Sequence, residues 1–164
     1  MARRAGGART SGVSGETAAH ARALELAYRY LSRRERTVHE LHEHLAARDI
    51  DPGGIAAAVD ELTAAGYLND ARYAAMFVQD RRELDQWGSG RIRRALLNRG
   101  VAAELIDAAL EEGGQAELRR ALAVLGQRFP DPPTGPRERQ RALGVLLRRG
   151  FEAELAIDAL AAYR

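Results

Sequence analysis

Apolar residues recur along this chain with the period of an α-helix, and no stretch shows the alternation that a half-buried strand requires. The first apolar stripe occupies positions i, i+3, i+4 and i+7: Leu24, Ala27, Tyr28 and Leu31. Segments with the same period follow almost to the C-terminus. The pattern therefore predicts an all-helical protein.

Capping residues place the ends of the next helices. Thr37 and Glu40 have the spacing of a capping box, in which each side chain accepts a hydrogen bond from the backbone of the other. Asp51 and Pro52 suit the start of a third helix, because proline is favoured at the first helical position. Gly66 suits its end, because glycine readily adopts the left-handed conformation. The first three helices thus end at a tight corner, after which Asn69 or Asp70 is a candidate cap for the next helix.

The same order of three helices is repeated twice more. Equally spaced alanines lie at matching positions in the three first helices: Ala27, Ala74 and Ala121. The ends of the middle helices also correspond, as Asp49-Ile50, Gly100-Val101 and Gly150-Phe151. Repeats of this kind stack on their neighbours. We therefore expect an elongated array of three tandem three-helix repeats, similar to helix-turn-helix units.

The repeats divide the chain into four parts. Residues 1–15 are rich in glycine, arginine and serine, so we expect a disordered basic tail there. The three repeats are assigned to residues 16–66, 67–114 and 115–164. The third repeat contains a proline-rich loop at 129–136, where four prolines prevent the helix from continuing.

Composition excludes several classes of function. The 164 residues contain no cysteine, so disulfides and thiolate metal sites are impossible, and no apolar run is long enough to span a bilayer. All 25 Lys and Arg positions are arginine, which we attribute to a GC-rich coding bias rather than to a binding role. We expect a cytoplasmic protein.

No motif for catalysis, a cofactor or a metal is present. His39 and His42 are three residues apart, whereas a zinc-protease helix needs a spacing of four. Ser89 follows a helix rather than a strand, so we interpret it as a helix cap; a phosphate at that helix N-terminus is a minor alternative. Trp87, the single tryptophan, is expected to be a buried anchor between repeats. We predict a protein that is not an enzyme and has no catalytic, metal or cofactor-binding residues.

The charges are separated between helices. The middle helices of the second and third repeats are basic. Any one of their arginines could be an ordinary solvated side chain, but the two clusters together favour a binding surface. The predicted partner-binding residues are Arg91, Arg93, Arg94, Arg99, Arg139, Arg141, Arg148 and Arg149. The last helices are acidic, with carboxylates at Asp60, Glu61, Glu104, Asp107, Glu111, Glu112, Glu152, Glu154 and Asp158. A helix-turn-helix protein places its last helix against DNA phosphates, which acidic residues would repel.

Several spaced motifs resemble the RecX family of recombination regulators. The central one is Gly66-Tyr67-Leu68-Asn69-Asp70-x-x-Tyr73-Ala74. Before it stand Tyr30-Leu31-Ser32-x-Arg34 and Glu40-Leu41-x-x-x-Leu45, and after it stands Gly88-x-x-Arg91-Ile92-x-x-x-Leu96-x-x-Arg99-Gly100-Val101. The resemblance covers about residues 23–163 and implies tandem three-helix repeats without catalysis or cofactor. The residues that carry this structural signature are Gly66, Tyr67, Leu68, Asn69, Asp70, Tyr73 and Gly100.

The resemblance implies a regulator of homologous recombination, DNA repair and the SOS response. Its partner would be the RecA recombinase filament on single-stranded DNA, which it would inhibit or remodel, lowering ATPase and strand-exchange activity. Single-stranded DNA would be bound weakly or through the filament, with no membrane partner, and we expect a monomer. The alternative functions are a free-standing helix-turn-helix DNA-binding protein and a helical adaptor for another protein.

Overall fold

The computed structural model describes residues 10–111 and 113–164, and within these ranges every regular element is a helix. The first group of helices comprises α1 (Thr10–Leu31), α2 (Val38–Ala46) and α3 (Pro52–Ala64). The second comprises α4 (Asp70–Glu83), α5 (Ser89–Leu97) and α6 (Ala103–Leu110). The third comprises α7 (Gly114–Arg128), α8 (Pro136–Arg149) and α9 (Ala153–Ala162). The predicted all-helical fold of three tandem three-helix repeats is confirmed.

Helix α1 begins earlier than the sequence indicated. Residues 10–15, which we assigned to a disordered tail, form its first turns, so that prediction was wrong for them. The physical reason is that a helix already held by Ala23 and Ala27 in the core extends at little cost, because each further residue adds a hydrogen bond. The rest of the predicted tail, residues 1–9, lies outside the described residues.

The chain divides into two compact units, and the first ends at Asp70. Its core consists of Ala23, Ala27, Leu41, Leu45, Ile50, Ile55, Ala58, Leu62 and Leu68. The predicted capping box at α2 is confirmed: Thr37 Oγ1 accepts from the Glu40 N–H at 3.1 Å, and Glu40 Oε2 accepts from the Thr37 N–H at 3.1 Å. Asp51 caps α3 by accepting from the Gly54 N–H at 3.0 Å. The local signals read from the sequence therefore set these helix starts.

The corner at Gly66 differs from the prediction in one contact. Gly66 has φ +79°, as expected for the residue after a helix end, and Leu68 is only 1% exposed in the core. Asp70 was a candidate cap for α4, but its carboxylate accepts from the Val38 N–H at 3.0 Å, at the start of α2. Tyr67 is 53% exposed and stands edge-on to Tyr28, with 5.3 Å between ring centroids. The contacts of Leu68, Asp70 and Tyr67 thus stabilise the first three-helix group.

The second unit, residues 71–164, has two apolar clusters. One contains Tyr73, Ala74, Val78, Ile92, Leu96, Val101, Ile106 and Leu110. The other contains Ala121, Val124, Leu125, Ala142, Leu146, Phe151, Ala156, Ala159 and Leu160. Each cluster belongs to one three-helix group.

The ends of the middle helices have the same backbone conformation in all three groups. Positive φ angles occur at the corresponding positions Asp49 (58°), Gly100 (73°) and Gly150 (90°). The residue after each donates its N–H to a leucine carbonyl five positions earlier: Ile50 to Leu45, Val101 to Leu96, and Phe151 to Leu146. This is the Schellman-type helix end. The sequence correspondence of the repeats is therefore also a structural one.

Candidate functional site

The start of α5 and the end of α8 meet at two glycines within the second unit. The Gly88 N–H donates to the Arg149 carbonyl at 2.9 Å, and the Gly90 N–H donates to the Gly150 carbonyl at 3.0 Å. A Cβ on Gly88 would lie 2.4 Å from the Gly150 carbonyl carbon, and one on Gly150 would lie 2.3 Å from the Arg91 Cβ. Only glycines allow this approach, which fixes the second and third helix groups side by side.

The N-terminus of α5 is already occupied by a carboxylate of the protein. Gly88, not Ser89, is the N-cap residue, so the predicted role of Ser89 was wrong. The Ser89 N–H donates to Glu117 Oε1 on α7 at 2.8 Å. A carboxylate is favoured there because the helix dipole places positive charge at the N-terminus. The Glu117 carboxylate therefore takes the position that a phosphate would need.

Trp87 lies beside this junction and is half-buried rather than fully buried. The Arg91 guanidinium carbon is 4.0 Å from its ring centroid, a distance at which a cation is attracted to the face of an aromatic ring. The Arg149 guanidinium donates to the Asp85 carbonyl at 2.6 Å. These contacts orient two predicted arginines at the edge of an open cleft.

Two clefts adjoin on the second unit. The first has a volume of about 500 Å³ and is lined by Arg128, Phe129, Arg137, Gln140, Arg141, Val145 and Arg148. The second has a volume of about 410 Å³ and is lined by Asp85, Trp87, Arg91, Arg128, Val145, Arg148 and Arg149. Because they share Arg128, Val145 and Arg148, they form one depression, which we call the basic groove.

The basic groove carries a strong excess of positive charge. Its first cleft is lined by arginines and by no acid. The acid of the second cleft, Asp85, is paired with Arg81 at 2.5 Å. Among the residues that the structure describes, Arg137, Arg141 and Arg148 form no ion pair. The groove therefore suits an anion.

The predicted arginines fall into two sets. Arg91, Arg141, Arg148 and Arg149 line the basic groove. The other four lie outside it. Arg93 forms a short ion pair with Asp107, and Arg99 donates to the Ala95 carbonyl at 2.8 Å and lies over Phe77. Arg94 and Arg139 are exposed. Partner binding by all eight stays a prediction.

Sequence reasoning missed Arg128. In the repeat it corresponds to Arg34 and Arg81, and compensation of the dipole at a helix C-terminus is a sufficient reason for an arginine at this position. In the structure it borders both clefts. Nothing in its local sequence distinguishes it from Arg34, so only the packing of α7 against α8 assigns it to the groove.

The acidic last helices remain exposed. The carboxylate residues of α6 and α9 that face solvent are Glu104, Asp107, Glu154 and Asp158. No group of three or more His, Cys, Asp or Glu side chains within residues 10–111 and 113–164 is placed to hold a metal ion. In the same ranges, no helix has both the length and the apolarity needed to cross a membrane.

The fold and the groove together define a class: proteins built from tandem three-helix domains that present a basic surface. The models of the first and second three-helix domains of RecX match residues 23–62 and 69–110. The regulatory protein RecX of Leptothrix cholodnii is 38% identical over 82% of this chain and 84% of its own length. That of Halorhodospira halophila is 40% identical over 84% and 86%. The chain belongs to the RecX family.

A solved structure agrees with the fold. The crystal structure of RecX from Lactobacillus salivarius matches with a TM-score of 0.81, at 20% sequence identity, over 90% of this chain and 97% of that one. This likeness confirms the fold, and the two matched domains with the relatives confirm the family resemblance found in the sequence motifs.

Proposed function

We propose that this chain binds the RecA filament on single-stranded DNA and inhibits or remodels it, lowering ATP hydrolysis and strand exchange. The observation that carries the proposal is membership of the RecX family, whose relatives are named as regulatory proteins. The chain acts by binding rather than by catalysis, as a monomer in the cytoplasm.

The charge distribution supports this proposal. A filament of protein on DNA offers both phosphates and protein surface, and a partner with separated charges can contact both. The basic groove supplies the cationic surface, and the exposed carboxylates of α6 and α9 supply the anionic one. The eight predicted arginines contact either DNA phosphates or acidic protein surface of the filament. Those in the basic groove face whichever of the two is more negative.

The test is RecA-catalysed ATP hydrolysis on single-stranded DNA, measured while the protein is added in substoichiometric amounts. We expect hydrolysis to fall, and the fall to persist in excess single-stranded DNA. The double variant Arg141→Glu with Arg148→Glu should inhibit much less, because both side chains line the basic groove. The control reverses two exposed arginines outside the groove, Arg22→Glu with Arg119→Glu, and should inhibit normally. Unchanged hydrolysis with the native protein would refute the proposal.

A free-standing helix-turn-helix DNA-binding protein is less well supported. Such a protein inserts the last helix of the unit into the major groove. In α6 and α9 that helix exposes carboxylates, including Glu104 and Asp158, which would face phosphates. Tight duplex binding with a steep loss in salt would revive this alternative.

A further inference from the structure

We infer that His44 and the side chains around it form a proton-sensitive switch, which loosens the junction of α1 and α2 on mild acidification. The inference goes beyond the proposed function and does not depend on it. The four histidines of the chain all lie in the first unit: His20, His39, His42 and His44. Histidine is the side chain whose charge ordinarily changes between about pH 5 and 8. We therefore expect a response in this range to arise in the first unit and not in the second.

His44 is the outer layer of a stack of three side chains. Its imidazole lies on the Tyr30 ring, with 3.7 Å between ring centroids and 14° between ring planes. The Arg36 guanidinium carbon is 4.2 Å from the centroid of the same Tyr30 ring. At these distances the guanidinium and the imidazole cannot share one face, so Tyr30 lies between them. The stack joins the last turn of α1, through Tyr30, to the last turn of α2, through His44.

Arg48 fixes the position of the proton on the His44 ring. Its Nη1 is 3.1 Å from His44 Nδ1, and the same nitrogen donates to the His44 carbonyl at 2.9 Å. A guanidinium group has donors and no acceptor, so Nδ1 is the acceptor in this contact. The ring is therefore neutral, with its proton on Nε2. A proton added to Nδ1 would point at the Arg48 donor and break the hydrogen bond.

Three guanidinium groups oppose a positive charge on His44. Arg33 and Arg36 belong to the loop between α1 and α2, and Arg48 follows α2. Burial lowers the pKa of His44 below its ordinary value of 6.5, and the charges of Arg48, Arg36 and Arg33 lower that pKa further. Proton uptake therefore works against the observed stack.

Nearby acids do not offset these cations. The acids of α2, of the loops beside it and of α3 are Glu35, Glu40, Glu43, Asp49, Asp51, Asp60 and Glu61. None of them forms an ion pair with His44 in the part of the chain that the structure describes. Glu40, one turn before His44, instead accepts from the Thr37 N–H at 3.1 Å. A protonated His44 would thus have cations beside it and no paired carboxylate.

The direction of the pH effect follows from the lowered pKa. The unfolded chain binds the His44 proton more tightly than the folded chain does. The stabilisation from His44 is therefore fully present above about pH 6.5, and it is lost as the pH falls through the folded-state pKa. Protonation would release the ring from Tyr30 and loosen the α1–α2 junction.

The experiment follows the imidazole resonances of the full chain by NMR from about pH 8 to about pH 5. We expect His44 to carry its proton on Nε2 at the alkaline end and to titrate with a midpoint below 6.5. The upfield shift that the Tyr30 ring imposes on His44 should disappear with the same midpoint. Emission from Trp87, which lies in the second unit, should stay constant over this range.

Two matched variants test the part played by charge. Arg48→Gln removes one of the three cations and should raise the His44 midpoint toward 6.5. Arg22→Gln removes an exposed cation of α1 that does not act on His44, and it should leave the midpoint unchanged. Because both residues are exposed, we expect both variants to fold, which circular dichroism checks.

A third variant tests the effect on stability. His44→Phe keeps an aromatic ring for Tyr30 but cannot take up a proton. Relative to this variant, the native protein should lose free energy of unfolding in urea between about pH 7.5 and 5.5. The titration of Asp70 is common to both proteins and cancels in the difference.

Four results would overturn the inference. They are a His44 midpoint at or above 6.5, a proton on Nδ1 at alkaline pH, an equal midpoint in Arg48→Gln and the native protein, and equal losses of stability in His44→Phe and the native protein on acidification. None of these measurements contains RecA, so their outcome leaves the proposed function untouched.

Discussion

The contact between Gly88 and Gly150 predicts a stability change that can be divided into its parts. Gly150→Ala adds a Cβ that would lie 2.3 Å from the Arg91 Cβ, and it places alanine at φ +90°. The left-handed conformation costs about 1–2 kcal/mol for an L-residue. Moving the start of α5 away from the end of α8 also breaks the hydrogen bonds to the Arg149 and Gly150 carbonyls, which stabilise the fold by about 0.5–1.5 kcal/mol each. We expect Gly150→Ala to lower the free energy of unfolding by about 2–5 kcal/mol.

Two other glycines separate the causes. Gly88 has φ −77°, so Gly88→Ala meets the steric overlap without the conformational strain and should cost about 1–3 kcal/mol. Gly66 has φ +79°, and a Cβ added there would have no atom within 4 Å, so Gly66→Ala should cost only the strain, about 1–2 kcal/mol. Of these two, only Gly88 tests the contact itself.

Urea unfolding measures these changes. Trp87 fluorescence reports the second unit, which contains Gly88 and Gly150, and far-ultraviolet circular dichroism reports all helices, including those next to Gly66. If the free energy of unfolding of Gly88→Ala lies within about 0.5 kcal/mol of the native value, the range of ordinary surface substitutions, the steric overlap at Gly88 is refuted. An equal loss of unfolding free energy in Gly66→Ala and Gly150→Ala would also refute it.

Two further predictions concern the first unit. Thr37→Ala removes the buried cap of α2 and should lower the free energy of unfolding in urea by about 1–2 kcal/mol. Thr37→Ser keeps a hydroxyl and should retain most of that stability. Equal stability of the two variants would contradict the capping role. Burial raises the pKa of Asp70 above its ordinary value, despite the hydrogen bond from the Val38 N–H, and the Glu40 charge adds to the rise. Since the folded state then binds the proton more tightly, the stabilisation from Asp70 is present at acid pH, below its unfolded-state pKa, and is lost as pH rises through its folded-state pKa. Asp70→Asn, which keeps an acceptor oxygen, should therefore gain stability relative to the native protein as pH rises from about 3.5 to 6, and a gain on acidification would contradict this.

The helices and their repeat follow from signals that lie close together in the sequence. Thr37 with Glu40, and Asp51 with Pro52, start helices because their contacts lie within one turn of the chain. The motif at Gly66 carried the family resemblance, which the two matched RecX domains confirm. These signals are local, so they can be read without knowing which helices pack together.

The contacts between helices depend on how the helices pack. The Asp70 carboxylate accepts a hydrogen bond from the Val38 N–H rather than from the backbone of α4. The Glu117 carboxylate accepts one from the Ser89 N–H at the start of α5. Both partners are distant in sequence, and periodicity does not specify distant partners.

The same limit applies to the basic groove. Local sequence showed that α5 and α8 are basic, but Arg128 comes from another helix and Arg93 is neutralised by Asp107. A side chain's charge is fixed by its residue type, whereas its availability to a partner depends on which neighbours the packing provides. The packing of α5, α7 and α8 therefore decides which arginines form the groove.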